Sequence, residues 1–338
     1  MDIIMNPICA QYNNSSLPCS DKRPVGVRLG LYMFLTCSIT ITIIGNLGLI
    51  ISIAHFKQLH SPTNFLILSL AVADMSLGLF IMPYSMLRTV ENCWYFGSLF
   101  CKIHYGCDLM LSVVSIFHLC TIAIDRFYAV CDPLHYHTKI TVAIIKKTIF
   151  FCWSAPVAFS FGVVATNMHA SGVEGYEILV KCFSLCPITF NKLWSFVVFF
   201  TCFFAPGSVM AGIYIKIFLV SQRHVKLLQK ISGNMSDVSS AISKKEDRKA
   251  AKKLGILMCV FLACWLPLFL TFLIDQFSNF STPGTVFEVL NWFSYINSTC
   301  NPILYGFLYP WFRKAMKHFI SGQICFNDSS TIDLFRQG

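Results

Sequence analysis

The sequence predicts an all-α membrane protein, a seven-transmembrane helix bundle followed by a short amphipathic eighth helix. Three observations predict it. The 338 residues are 55% hydrophobic and 12% charged, with a mean hydropathy of +0.63, well outside the usual balance of water-soluble domains. Seven apolar stretches are each long enough to cross a bilayer, which takes about 20 residues. Short polar, charged or turn-forming segments separate them.

The N-terminal segment, 1–28, is polar and shows no basic stretch followed by an apolar one, so no cleaved signal peptide is expected. The expected spans are 29–55, 63–88, 99–130, 144–167, 192–220, 254–276 and 285–308. "KQLHSP", "VENCWYFG", "CDPLHYHTK" and "SNFSTPG" punctuate them, with a Glu/Gly stretch at 171–181. The polar, basic run 221–253 reads as partly disordered. Residues 309–320, "YPWFRKAMKHFI", alternate aromatic and basic positions at helical spacing and read as a helix lying on the inner membrane surface. The 309–338 segment then forms this helix and a tail, in which Cys325 is a candidate palmitoylation site.

Charge sets the sidedness. The net charge of +10 does not point to nucleic acid, because the bases cluster. Ten Lys/Arg against three Asp/Glu lie between Lys216 and Lys253, and Arg313, Lys314 and Lys317 follow the last span. Glu91, Glu174, Glu177 and Asp275 lie in the opposite loops. Basic loops stay inside, so the N-terminus is expected outside and the C-terminus inside. Asn13 and Asn14 each open an N-x-S sequon, coherent with glycosylation of an outer N-terminus.

Acids inside apolar spans are costly and mark candidate sites. Asp108 and Asp125 share the third span but stand 17 residues apart, about 25 Å along a helix, so they cannot pair. Asp74 lies within "LAVADMSLGLF" of the second span. The alternative for each is a structural carboxylate satisfied by helix packing. Ser112 and Ser115 follow Asp108 by four and seven residues and share its face. His104 and His118 are isolated, no nucleophile–base set or metal-ligand cluster stands out, and neither an enzyme nor a cofactor is expected. Inverted repeats or paired broken helices, the marks of a transporter, are not found.

Eight motifs fall in order along the spans: "GNLGLI" with Asn46, "LAVAD" with Asp74, Cys101, "DRF" at 125–127, Trp153, Pro206, "CWLP" at 264–267 and "NPILY" at 301–305. Together they resemble the class A G-protein-coupled receptors over nearly the whole chain. "NSTCNPILYGFLYPWF" at 297–312, with "HFKQLHSPTNF", "MPYSMLR" and "CWYFG", is similar to the trace amine-associated receptors.

That resemblance implies a receptor for a small protonated amine, with Asp108 as the counter-ion and Tyr295 orienting it. Trp265, Phe269 and Trp292 are then aromatic walls, and Leu268, Ser112 and Phe199 complete the pocket. Val198, Phe199 and Cys202 replace the serines that meet catechol hydroxyls in similar receptors, so catechols lack partners here. Glu288, seven residues before Tyr295, is a candidate second acid for a diamine or polyamine; a monoamine is the alternative. The last span holds no Lys for a Schiff base, which excludes an opsin.

The resemblance also implies an allosteric sodium site at Asp74, Ser115, Asn297, Ser298 and Asn301. It implies switch roles for Asp125, Arg126, Asp247, Tyr214, Phe261 and Tyr305. Asp247, in "KKEDRKAAKK", has a solvated charge as its alternative reading. Disulfides are implied for Cys101–Cys186 and Cys19–Cys182, with Cys9 as the alternative to Cys19. The expected partners are an amine, membrane lipids and a heterotrimeric G protein of the Gs or olfactory Gs type, with plasma-membrane localisation and an olfactory role.

Overall fold

A computed structural model describes residues 23–173, 176, 180, 185–187, 189–231, 238–278, 281–321 and 334, with backbone alone at 221, 224–231, 238–254 and 320. The described residues form a helical bundle without strands. Its helices are α1 (Val25–His55), α2 (Pro62–Phe80), α3 (Met82–Glu91), α4 (Gly97–Cys131), α5 (Pro133–Lys139) and α6 (Val142–Ala165). After a loop come α7 (Lys192–Val198), α8 (Ala205–Ile231), α9 (Val238–Asp275), α10 (Gly284–Leu308) and α11 (Pro310–Ile320). Seven spans result, α2 with α3 making the second and α7 with α8 the fifth.

Local sequence places the boundaries. Ser61 accepts the Asn64 N–H at 3.3 Å, Thr141 that of Ile144 at 3.3 Å, and Asn191 that of Trp194 at 3.0 Å. These side chains satisfy first-turn donors that a helix start leaves open. The expected second span is broken at Ile81, whose φ, ψ of −110°, −55° separates α2 from α3. Pro83 explains the break: it has no N–H and its ring crowds the carbonyl four residues back. A π-helical turn, Phe199–Phe204, joins α7 to α8.

Two expectations change. The stretch at 133–139, read as a separator, is the short helix α5. The run 221–253, read as partly disordered, is helical through Ile231 and again from Val238, with 232–237 outside the described residues. Its Lys, Gln, Ala and Glu are strong helix formers, and they extend two spanning helices beyond their apolar portions.

Six spans carry continuous apolar windows sufficient to cross a membrane by length and composition. The seventh, α10, is more polar because Asn291, Asn297, Asn301, Ser294 and Ser298 turn into the bundle, where all are buried. α4 is the central helix, packed on α2, α6 and α8, and α10 closes the ring against α1 and α9. The α1–α10 seam depends on glycine. A methyl on Gly45 would stand 2.7 Å from the Pro302 ring, and across this seam Asn46 donates to the Ser298 carbonyl at 3.2 Å.

A disulfide joins Cys101, near the start of α4, to Cys186 at one end of the bundle, the disulfide end. Cys93 is a further half-cystine that the sequence reading passed over. Cys9, Cys19, Cys182, Cys325, Asn13 and Asn14 lie outside the described residues. At the opposite, Arg126 end, α11 packs on α1 and α10, burying Trp311, Phe312 and Ala315.

Candidate functional site

Asp108 lies on the inward face of α4 and is 7% exposed. Its Oδ2 accepts the Tyr295 hydroxyl at 2.5 Å. That hydroxyl also lies 3.2 Å from Ser85, itself 3.3 Å from the His104 ring. The carboxylate is thus held from α10 and α3 at once. Among the described residues no cation lies within ion-pair distance of it.

Beside it is a cavity of about 50 Å³ lined by Asp108, Ser112, Val198, Trp265, Leu268, Phe269 and Asn291, with Tyr105, Phe190 and Phe272. Its walls are aromatic and aliphatic. The indole N–H of Trp265 is buried without a partner, and the Asn291 amide stands next to Asp108 short of full hydrogen-bond geometry. One charge, one hydroxyl and two spare donors thus stand together in an apolar enclosure, the chemistry that a small cationic group would need.

The helices bring Asp108, Ser112, Trp265, Leu268 and Phe269 together, with Tyr295 bonded to the acid. Two expected members turn away. Trp292 donates to the Thr89 hydroxyl at 3.1 Å and packs with Leu35, Leu77 and Ile81. Adjacent helical positions point about 100° apart, so with Asn291 facing the cavity Trp292 faces α3. Phe199 packs on Phe200, Phe203 and Phe204 at 5.1, 5.8 and 6.0 Å between centroids. Val198 takes the cavity position, because the π turn sets the phase of α7.

Glu288 stands in a second cavity of about 460 Å³ nearer the disulfide end, with Arg88, Tyr176, Cys186, Pro187 and Asp275. It is already paired, to Arg23 Nη2 at 3.3 Å. Sequence reasoning missed Asn291, although its place one turn before Tyr295 was a usable signal. It also missed Arg88, which a helix-end cation pattern suggests is an interfacial anchor but which is 7% exposed here.

Deeper in the bundle, level with Ser115 about two turns beyond Asp108, Asp74 is 1% exposed. It accepts from Ser115 at 3.2 Å, Ser298 at 2.7 Å and Asn301 at 2.7 Å. Asn297 is buried one turn from Asn301, and its Oδ1 has no partner. Asn297 is the one member of the expected set without a hydrogen bond to Asp74 among the described residues.

At the Arg126 end, Asp125 Oδ2 accepts from Arg126 Nη2 at 2.6 Å and Nε at 2.9 Å. Thr63 adds a bond at 2.8 Å and Tyr136 one at 2.9 Å, so α2 and α5 share the pair, and Arg126 also donates to Thr63. The Asp247 side chain lies outside the described residues. Tyr214 presses on Gly255, where a methyl would come within 2.7 Å of its ring. Tyr214 and Phe261 border one small cavity. Tyr305 instead packs on Tyr309 at 5.5 Å, its buried hydroxyl unpartnered.

Residues 45–305 match the model of the 7 transmembrane receptor (rhodopsin family). The chain is 54% identical to trace amine-associated receptor 2 of Mus musculus, covering 97% of this chain and 95% of the relative. It is 56% identical to the Homo sapiens trace amine-associated receptor 2, over 95% and 91%. To trace amine-associated receptor 3 of Rattus norvegicus it is 56% identical, over 99% of both chains. These are receptors and not enzymes, and their multi-pass architecture matches the helices described above. The chain therefore belongs to the trace amine-associated receptors, within the rhodopsin family of seven-transmembrane receptors.

Proposed function

We propose that the chain is a plasma-membrane receptor that binds a small protonated amine at Asp108 and signals through a heterotrimeric G protein of the Gs or olfactory Gs type, raising cAMP. The disulfide end faces outward and the Arg126 end meets the G protein, as the basic loops suggest. The observation that carries the reading is the Asp108 carboxylate. It is buried, oriented by Tyr295 and, among the described residues, without a cation within ion-pair distance. A desolvated carboxylate is costly until a cation joins it, so an ammonium entering this enclosure gains a charge-assisted hydrogen bond. Trp265 and Phe269 add cation–π attraction. Cells expressing the receptor should raise cAMP on exposure to simple alkylamines. Amine flux without a cAMP response would favour a transporter.

The diamine expectation requires Glu288 to meet a second ammonium. Arg23 already holds Glu288, and Arg88 lines the same cavity. A second ammonium would displace the first cation and approach the second, so the geometry favours a monoamine. Glu288→Gln should therefore shift pentylamine and cadaverine potency alike. A loss confined to cadaverine restores the diamine reading. Because this pair is partly exposed, either shift should be small, about 1 kcal/mol or less.

Asp74, Ser115, Ser298 and the spare Asn297 oxygen suit a sodium ion, a hard cation that takes oxygen ligands. Bound there, the ion would favour the resting state. Asp74→Asn should abolish any effect of sodium on agonist affinity, read by competition binding in sodium against choline salts. Unchanged sodium dependence removes Asp74 from that role. The Asp125–Arg126–Thr63 cluster, with Tyr214, Phe261, Tyr305 and Asp247, is proposed to carry the switch, and α11 to rest on membrane lipid.

A further inference from the structure

Arg88 closes the last turn of α3 and is 7% exposed. A buried guanidinium normally has a carboxylate within reach or fills its donors with carbonyls. This one does neither. Among the described residues its single hydrogen bond is a long one, Nη1 to the Cys186 carbonyl at 3.4 Å, and its Nε has no partner. No described carboxylate lies within ion-pair distance of it.

The acids that share its cavity make their direct contacts elsewhere, although the Arg88 charge also acts on Glu288. Glu288 pairs with Arg23, and Asp275 Oδ1 accepts the Thr282 N–H at 3.0 Å. The cavity is about 460 Å³ and also presents the hydroxyls of Thr189 and Thr285. That is large enough for a small organic ligand. Arg88 is also near enough to Asp108 and Tyr295 for its charge to act on both. A buried cation with spare donors thus faces a vestibule beside the carboxylate proposed to take the amine.

We infer that Arg88 is an anion subsite, so that the favoured ligands are ω-amino acids with the ammonium on Asp108 and the carboxylate on Arg88. The inference rests on the amine reading of Asp108 and adds the chemistry of the ligand's far end. The two ion pairs are of opposite sense, so charges alternate along the bound ligand. A guanidinium also suits a carboxylate geometrically, because its planar fork can donate two parallel N–H bonds. The same charge repels the second ammonium of a diamine.

The test uses the full-length receptor in cells, with surface level and cAMP measured together. Straight-chain ω-amino acids from aminobutanoate to aminooctanoate are compared with their methyl esters and with n-alkylamines. At least one acid should exceed its ester by about tenfold in potency, the expected size of a charge-assisted hydrogen bond. Arg88→Gln should erase that advantage and Arg88→Lys should keep part of it. Equal potency of acid and ester in the wild type overturns the inference. So does an equal fall for acid, ester and alkylamine in Arg88→Gln, which would make Arg88 only an anchor for the Cys186 segment. Active alkylamines with inert acids sink this inference alone, whereas silence of every amine sinks the Asp108 reading as well.

Discussion

Asp108→Asn abolishes the response to amines while surface delivery stays near that of the wild type. The substitution keeps the shape of the side chain and an oxygen that accepts the Tyr295 hydroxyl now 2.5 Å away. It also removes a buried charge, which relieves the folded receptor rather than straining it. What disappears is the partner of the ligand's ammonium, left desolvated between Trp265 and Phe269. Removing one half of a buried ion pair costs about 3–5 kcal/mol, a loss of a hundredfold or more in potency. Concentration–response curves in cells matched for surface receptor check this. Potency within about tenfold of wild type, less than half of that cost, would move the amine site elsewhere.

The second large effect concerns the disulfide. Cys186→Ser should remove most surface receptor, and the remainder should respond weakly. The bond closes a loop of 85 residues between Cys101 and Cys186. In the chain-entropy view such a link is worth on the order of 4 kcal/mol. Here the cost falls on a particular segment. Cys186, Pro187 and Thr189 line the outer cavity, Phe190 lines the one beside Asp108, and the Cys186 carbonyl holds Arg88. Cutting the bond releases both cavities from one side. Surface immunodetection with and without permeabilisation, alongside agonist potency, measures it, and Cys101→Ser should match. Normal surface level and potency would show that helix packing alone positions the segment.

The bundle was legible because spanning helices announce themselves by length and apolarity: each expected span lies on helix, although the second is broken at Ile81, the fifth runs on to Ile231 and the sixth begins at Val238. What composition hid was phase. Trp292 and Asn291 are neighbours, and deciding which of them faces Asp108 takes the rotation of α10, which packing against α1 and α9 sets. Asp74 and its hydroxyl and amide partners were readable because an acid in an apolar span must be satisfied by whatever polar groups share its depth. Arg88 was not readable. At the end of a span a cation usually reaches water, and it is buried here only because the Cys186 segment folds across it. The pairing of Glu288 with Arg23 was hidden for the same reason, since 265 residues separate them in sequence.

The π turn at Phe199–Phe204 has a consequence for how this receptor tolerates changes in length. Such a turn accommodates one residue more than an α-helix would over the same axial distance. Winding the same residues as an ordinary α-helix, with none deleted, would add one α step and rotate all of α7 by about 100° against α8. Val198 would leave the cavity wall without any substitution at position 198. The π turn is therefore a specificity determinant in this span: losing both the turn and its extra residue would keep the phase of α7, whereas losing the turn alone would present a different side chain to the same ligand.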